Sequence, residues 1–111
     1  MKTSVTEIKA TSPSTQVKLL TLDLASLKDV RKAAEAIMVW QDVPHIDIVV
    51  NNTRIMAVPY SLTEDDVEVQ FQNNHLHHSL FIKFIMEKLL AAQSPRIVQI
   101  SSGTHRVSHV R

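Results

Sequence analysis

Two adjacent asparagines, Asn51 and Asn52, directly follow an apolar run over residues 46–50 that is too short for a helix. The β-branched residues of this run predict a strand that is buried on both faces of a sheet. Ligands of open α/β sheets bind in the crevice at the carboxyl ends of the strands. Because an asparagine side chain both donates and accepts hydrogen bonds, the pair could tie neighbouring loops together or hold a ligand. The simpler alternative is a strand that ends in an asparagine-rich turn.

Three histidines, His75, His77 and His78, raise the question of a metal site. His75 and His78 would share one face of a helix, but the H-E-x-x-H arrangement that binds zinc is missing. The chain has no cysteine, which also excludes a zinc ribbon, a disulfide framework and a catalytic thiol. We therefore predict no metal site.

The carboxylates of Glu64, Asp65 and Asp66 directly follow Thr63. Carboxylates are favourable in the first turn of a helix because the positive end of the helix dipole lies there. We interpret these residues as the start of a helix that Thr63 caps, rather than as a carboxylate pair for hydrolysis.

Length and composition limit the class of protein. The 111 residues suffice for one small domain, and 44% apolar and 21% charged residues are typical of a soluble globular protein. A net charge of +1 and a basic tail without interleaved aromatic residues argue against binding to nucleic acid. No apolar run approaches the ~20 residues of a membrane-spanning helix, and the amino terminus does not resemble a secretory signal. Because cysteine is absent as well, we expect a cytoplasmic protein.

The elements that would position these residues alternate between helices and strands. Pro13 ends a short first helix, because the residue before proline avoids the helical region. Ser26 is a typical N-cap for the second helix, and Asp29 adds a carboxylate in its first turn. The predicted order is a helix over 4–12, a strand over 16–22, a helix over 26–40, a strand over 46–50, a helix over 63–93 and a strand over 96–100.

The alternation predicts parallel strands joined by right-handed helical crossovers. The fold class is therefore α/β, a doubly wound parallel sheet with three strands and two main helices. No internal repeat, low-complexity tract or linker divides the chain, so we expect one domain over 1–111. The long helix carries a stripe at spacings of three or four, which predicts one buried face. The members of this stripe are Val67, Phe71, Asn74, His78, Phe81, Ile85 and Leu89.

Four segments occur in an order and at separations typical of one family. They are Leu22-Asp23-Leu24, Asn51-Asn52, the stretch from Thr63 to Leu76, and Ile97-Val98-Gln99-Ile100-Ser101-Ser102. Together they resemble the short-chain dehydrogenases/reductases, especially the branch of retinol-dehydrogenase-like enzymes. The resemblance spans nearly the whole chain. It implies a Rossmann-like fold and an oxidoreductase that uses NAD(P) on a smallish apolar carbonyl or alcohol substrate.

The resemblance also implies roles for five residues. Asp23 would accept a hydrogen bond from the adenine amine, and Asn51 would hold the strand-end loop on the adenine-ribose side. Asn74 would be the helix asparagine of the catalytic tetrad and help order a proton-relay water, and Ser102 would steady the substrate carbonyl. Lys83 would lie close to the cofactor. From the residues alone, Asp23 and Ser102 could equally cap turns, and Asn74 could be a hydrogen-bonded core amide. Lys83 could be a solvated helix lysine.

The chain departs from the family pattern near the implied cofactor. Thr53 and Arg54 stand where the family has alanine and glycine, and His77 stands where it usually has glycine. Glycine lets the backbone approach a ligand closely. Arg54 could pair with a pyrophosphate, but steric interference with the cofactor is the favoured outcome.

Two family motifs do not occur in the sequence. T-G-x-x-x-G-x-G is missing, and the single glycine, Gly103, cannot cradle a pyrophosphate alone. Y-x-x-x-K is missing as well, because the only tyrosine, Tyr60, has Glu64 four residues on. In the family, a tyrosine whose pKa is lowered by the lysine donates the proton. We therefore expect an incomplete, truncated Rossmann-like domain that shows no turnover in isolation.

The family's strand order has a consequence for the sheet. In the order 3-2-1-4-5-6, the strands at 46–50 and 96–100 are neighbours, whereas 16–22 lacks the two strands between. The strand at 16–22 would then pair improperly or leave apolar edges exposed. A function of another class is a non-catalytic interaction module that uses helix 64–92, whose family equivalent commonly packs against its copy in a homodimer.

Overall fold

The computed structural model describes residues 2–107, apart from the side chain of Lys2. The predicted domain over 1–111 includes Met1 and residues 108–111, which lie outside the described residues. The elements in chain order are α1 (Lys2–Thr11), α2 (Leu27–Met38), β1 (Ile48–Asn51), α3 (Val69–Phe71), a π-helix (Gln72–Leu76), α4 (His77–Leu90), β2 (Arg96–Gln99) and a 3₁₀-helix (Gly103–Arg106).

The two strands lie side by side and run parallel. Their register pairs Ile48 with Arg96 and Asn51 with Gln99. The predicted pairing of these two strands is therefore confirmed, as is the α/β class. Because parallel strands end at the same edge of a sheet, the residues that follow β1 and β2 are brought together.

The predicted strand over 16–22 is wrong. These residues are irregular and pair with no strand in the part of the chain that the structure describes. The segment instead contacts the residues that follow α2 through Lys18, whose ammonium forms an ion pair with Asp42 and lies 4.8 Å from the centre of the Trp40 ring. An alternating pattern becomes a strand only where a neighbour accepts its backbone hydrogen bonds, and no such neighbour lies here.

The strand predicted over 46–50 is covered on one face only. Val49 packs against the core between the helices, whereas Ile48 and Val50 are each 57% exposed. Side chains alternate between the faces of a strand, so the face that carries Ile48 and Val50 has no cover within residues 2–107. The predicted burial on both faces is therefore wrong for the described chain.

The core lies between α2, α4 and the covered face of the sheet. Ala34 of α2 and both Ile85 and Leu89 of α4 form its buried centre. α2 begins as predicted, because Ser26 is its N-cap and the Ser26 Oγ accepts a hydrogen bond from the Asp29 N–H at 3.3 Å.

The carboxylates after Thr63 stabilise α2 rather than a helix of their own. Glu64 accepts a hydrogen bond from the Ser26 hydroxyl. The Asp65 Oδ2 accepts from the Leu27 N–H at 2.8 Å. The predicted helix start at Thr63 is therefore wrong, because Glu64 and Asp65 bind the N-terminus of α2 and the next helix has Glu68 as its N-cap.

The helix predicted over 63–93 begins only at Val69 and contains the π-helix before α4. A turn of π-helix holds more residues than a turn of α-helix, which displaces the buried face. The buried residue that precedes His78 on this face is Asn73, five residues earlier, which is only 7% exposed. Asn74, four residues before His78, is exposed. The predicted core position of Asn74 is therefore wrong.

A buried lysine joins α4 to the end of α2. Lys88 is only 7% exposed, and its Nζ donates to the carbonyls of Ile37, Trp40 and Val43 at 2.6–2.7 Å. The Ile37 and Trp40 carbonyls also accept backbone hydrogen bonds from the Trp40 and Val43 N–H groups, so the ammonium adds a charged donor to the turns that follow α2. This contact fixes the connection that leads from α2 into β1.

Candidate functional site

Of the cavities that open at the carboxyl edge of the sheet, two are lined by both Thr53 and His78. The β1 cavity, of about 160 Å³, lies between residues 22–24, the end of β1 and α4. The β2 cavity, of about 220 Å³, lies between the loop after β1, the π-helix and the end of β2. The residues that line the β2 cavity are Thr53, Arg54, Asn74, His78, Ile100, Ser101 and Ser102.

Asn74 lines the β2 cavity and holds the loop that follows β1. Its Oδ1 accepts from the Ile55 N–H and its Nδ2 donates to the Ile55 carbonyl, both at 2.8 Å. Both polar ends of the amide are therefore used within the protein. Asn74 lies inside the π-helix, a type of segment that is frequent at functional sites. The side chain joins the π-helix to the loop and so shapes the cavity, while one Nδ2 hydrogen and one Oδ1 lone pair remain outside these two bonds.

Ser102 lines the same cavity and begins the 3₁₀-helix directly after β2. Its Oγ accepts from the Thr104 N–H at 3.3 Å and from the Thr104 hydroxyl at 3.0 Å. A hydroxyl has two lone pairs and one hydrogen, so the hydrogen of Ser102 is left to donate. Ser102 can therefore cap the turn, as one alternative from the sequence proposes, and also contact a substrate oxygen. The cap uses the lone pairs of the hydroxyl, and the substrate contact uses its hydrogen.

Asn51 lines the β1 cavity and is 7% exposed. Its backbone carbonyl accepts from the Ile100 N–H at 3.1 Å, which extends the pairing of the strands. Its Nδ2 is buried and finds no hydrogen-bond partner among the described residues. A buried donor without a partner costs about 1–3 kcal/mol, and an acceptor of a ligand reaches this atom only after the Asn51 side chain shifts toward the cavity.

Asp23 lies beside the β1 cavity, between Leu22 and Leu24, which line it. The Asp23 Oδ1 accepts from the Ala25 N–H at 2.9 Å, so the carboxylate caps a turn, as the simpler alternative proposes. The second carboxylate oxygen makes no hydrogen bond within residues 2–107. Lys83 is exposed on α4 and lines neither cavity, so it does not join the other four predicted residues.

Two buried histidines line the β1 cavity; the sequence predicted His78 on the buried stripe and His77 near the implied cofactor. The rings of His77 and His78 lie 3.8 Å apart. The His78 Nε2 donates to the Thr53 carbonyl at 3.0 Å, and the His77 Nδ1 lies 3.2 Å from the Gln72 carbonyl, to which it donates. Burial lowers the pKa of His77, and the neighbouring His78 lowers it further. Within residues 2–107 there is no group of three residues that could hold a metal ion.

The family model for the short chain dehydrogenases matches residues 1–110. The chain belongs to this family. The resemblance drawn from the four segments is therefore confirmed.

The chain is similar to retinol dehydrogenases. It is 40% identical to retinol dehydrogenase 13 of Homo sapiens over 89 residues, which cover 80% of this chain and 26% of that protein. It is 34% identical to retinol dehydrogenase 12 of Mus musculus over 110 residues, which cover 99% of this chain and 34% of that protein. The chain thus spans about a quarter to a third of the length of these relatives.

Solved structures share the fold. A crystal structure of an uncharacterized protein from Mycobacterium paratuberculosis matches with a TM-score of 0.69 at 36% identity, and covers 93% of this chain and 35% of that chain. The NADPH-bound carbonyl reductase from chicken fatty liver matches with a TM-score of 0.68 at 15% identity, over 92% of this chain and 43% of that chain. At that identity the second match shows the fold alone. The Rossmann-like class is confirmed, with two paired strands in the described residues rather than three.

Proposed function

We propose that the chain is part of an NAD(P)-dependent oxidoreductase that acts on a carbonyl or alcohol group of a small molecule. The observation that carries this proposal is that Asn74 and Ser102 line one cavity at the carboxyl edge of the sheet. Membership of the short-chain dehydrogenases supports the class of reaction. The relatives named retinol dehydrogenases support an alcohol or carbonyl substrate.

The two residues of the β2 cavity have different tasks in this proposal. The free hydrogen of the Ser102 hydroxyl donates to the substrate oxygen, whose partial negative charge it stabilises. Asn74 is a positioning residue, because both ends of its amide already bond Ile55. It holds the loop after β1 at the distance from Ser102 that leaves the cavity open.

The β1 cavity suits the adenosine end of NAD(P). Asn51 lines this cavity with an unpaired Nδ2, and Asp23, which lies between the lining residues Leu22 and Leu24 in the chain, has one carboxylate oxygen without a hydrogen bond. Adenine carries both ring acceptors and an amine donor, which match these two groups, and Leu22 and Leu24 supply apolar contact. The cofactor, when bound, supplies or accepts the hydride.

The residues around the β1 cavity fit the pyrophosphate of the cofactor less well than they fit its adenosine end. Gly103 is the only glycine of the sequence, and it lies after β2 rather than in a loop that faces the β1 cavity. Tyr60, the only tyrosine, is 78% exposed and lines neither cavity, so it supplies no proton at the β2 cavity. We therefore propose that the 111 residues alone form part of the site and do not turn over.

A turnover assay tests this part of the proposal. The purified chain is incubated with NADPH and a panel of aldehydes and ketones, and the oxidation of NADPH is followed. We expect no oxidation above the background without protein. Saturable turnover that Ser102→Ala abolishes, and that the exposed control Ser94→Ala leaves intact, would contradict the proposed inactivity and support the role of Ser102. Turnover that survives Ser102→Ala would contradict both.

The family match and the similarity to retinol dehydrogenases do not favour a non-catalytic interaction module. A homodimer through helix 64–92 stays a prediction, although the helical stretch runs over 69–90 in the structure. In residues 2–107, no helix combines the length and apolar character that crossing a membrane needs. The cytoplasmic location expected from the sequence stays a prediction.

A further inference from the structure

Arg54 brings an uncompensated positive charge to the β2 cavity. It is the only lysine, arginine or carboxylate that lines this cavity. The side chain is exposed, and within residues 2–107 its guanidinium makes no ion pair and no hydrogen bond. An adjoining cavity shares Asn74 and Ser101 with the β2 cavity, and no carboxylate lines it either. The local field at this edge of the sheet therefore favours a negative ligand.

Two hydroxyl groups reach the same cavity from the other strand. Ser101 and Ser102 follow β2, whereas Arg54 lies in the loop that follows β1. The hydrogen of Ser102 is free to donate, because its oxygen already accepts from Thr104. The Ser101 hydroxyl makes no hydrogen bond within residues 2–107. Both ends of the Asn74 amide bond Ile55 in the loop after β1.

We propose that the β2 cavity binds an oxyanion, a phosphate or a carboxylate, through Arg54 with Ser101 and Ser102 as further donors. The planar fork of a guanidinium donates two parallel hydrogen bonds to the oxygens of either group. At about 220 Å³, the cavity is smaller than the roughly 300–1,000 Å³ of typical small-molecule pockets. It therefore accepts one small anionic group rather than a whole large ligand.

By the resemblance, the family pattern has glycine where Arg54 stands. Glycine would let the backbone approach a ligand closely, whereas arginine places a positively charged side chain at this position. The anion needs no NAD(P) in order to bind. If no anion binds, the proposed oxidoreductase role is unaffected. If the oxidoreductase role proves wrong, anion binding at this site can still be tested.

Nuclear magnetic resonance of the isotope-labelled chain tests the site directly. The chain is titrated separately with inorganic phosphate and with acetate, and with sodium chloride at matched ionic strength. We expect saturable shifts of the Arg54 Nε–H signal and of the Ser101 and Ser102 amides with at least one oxyanion. Saturation by phosphate alone would assign a phosphate ligand, and saturation by acetate alone a carboxylate.

Three variants assign the binding to Arg54. Arg54→Gln should weaken binding by at least roughly tenfold, because it removes charge-assisted hydrogen bonds. Arg54→Lys keeps the charge without the fork and should bind with intermediate affinity. Arg106→Gln, an exposed arginine of the 3₁₀-helix close to Ser102 in sequence, should bind like the unmodified chain.

Several results would overturn the proposal. They are shifts that chloride reproduces, an equal loss of binding in Arg54→Gln and Arg106→Gln, and no saturable shift with either oxyanion. In each case Arg54 would be a solvated surface cation. If Arg54→Gln does not give the dispersed spectrum of a folded chain, Arg54→Lys decides, and unchanged affinity in that variant would refute the bidentate contact.

Discussion

At the scale of the residue, Lys88 shows how one side chain can fix the path of the chain. Its ammonium lies 2.6–2.7 Å from three carbonyls at and after the end of α2. We expect Lys88→Met to lower the free energy of unfolding by about 2–3 kcal/mol, because a charged donor is lost and buried carbonyls lose a partner. Urea unfolding followed by circular dichroism measures the change.

Lys83→Met is the matched control for this prediction. Lys83 lies on the same helix but is exposed, and an exposed substitution without partners changes stability by at most about 0.5 kcal/mol. Equal effects of Lys83→Met and Lys88→Met would contradict the structural role of Lys88.

The residues that sequence reasoning located correctly follow local rules. Ser26 has the residue type and the spacing to Asp29 that an N-cap requires. Asn74 and Ser102 were located by their order in the chain relative to the family, and they do line one cavity. Lys88 could not be located in this way, because its three partners lie 45 to 51 residues earlier in the chain. No local pattern marks a lysine whose partners are backbone carbonyls.

At the scale of the element, the π-helix decides which side chains face the core. Asn73 and Asn74 are adjacent and identical in type, so a helical pattern with a spacing of four selected Asn74 as the buried residue. The wider turn instead buries Asn73, whose Nδ2 donates to the Val69 carbonyl at 2.9 Å. Asn74 is thereby turned toward Ile55 and the β2 cavity. The sequence carries no signal for a single inserted residue within a continuous helix.

The end of the π-helix makes the fold sensitive to acid through His77. Folding lowers the pKa of His77 from its ordinary value of 6.5, so the unfolded chain binds more protons below that pH. The contribution of His77 to stability is therefore fully present above pH 6.5 and is lost as the pH falls toward the lowered value. We expect the free energy of unfolding, measured in urea, to decrease over this window.

His77→Phe keeps a ring beside His78 but removes the titration. We expect this variant to have a shallower decrease of stability with falling pH than the unmodified chain. His105→Gln, at an exposed position in the 3₁₀-helix, serves as the control and should keep the original slope. An unchanged slope in His77→Phe would show that other groups cause the acid sensitivity.

At the scale of the whole molecule, the α/β class follows from the order of the elements, but the number of strands does not. The stretch predicted over 46–50 forms β1, which pairs in parallel with β2 from the stretch predicted over 96–100. The stretch over 16–22 alternates between apolar and polar residues in part, yet it forms no strand. Strand formation depends on the partner that supplies the backbone hydrogen bonds, which a pattern within one segment cannot reveal.

The two cavities are also a property of the whole molecule, because each draws on segments that are far apart in the chain. Family order identified Asn51 and Asp23 as neighbours of one ligand, and the structure has Asn51 in the β1 cavity with Leu22 and Leu24. The unpaired Nδ2 of Asn51 could not be foreseen, since it depends on which acceptors the fold leaves out of reach.

The most direct test of a cofactor role for this edge of the sheet is a titration of the isotope-labelled chain with NADPH, followed by nuclear magnetic resonance. We expect saturable shifts of the Asn51 side-chain amide and of the Leu24 backbone amide. Asn51→Leu, which keeps the size of the side chain, should weaken binding by roughly tenfold through loss of the unpaired donor. Lys83→Met should bind NADPH as the unmodified chain does. Absence of saturable shifts, or unchanged affinity in Asn51→Leu, would contradict the assignment of the β1 cavity to the cofactor.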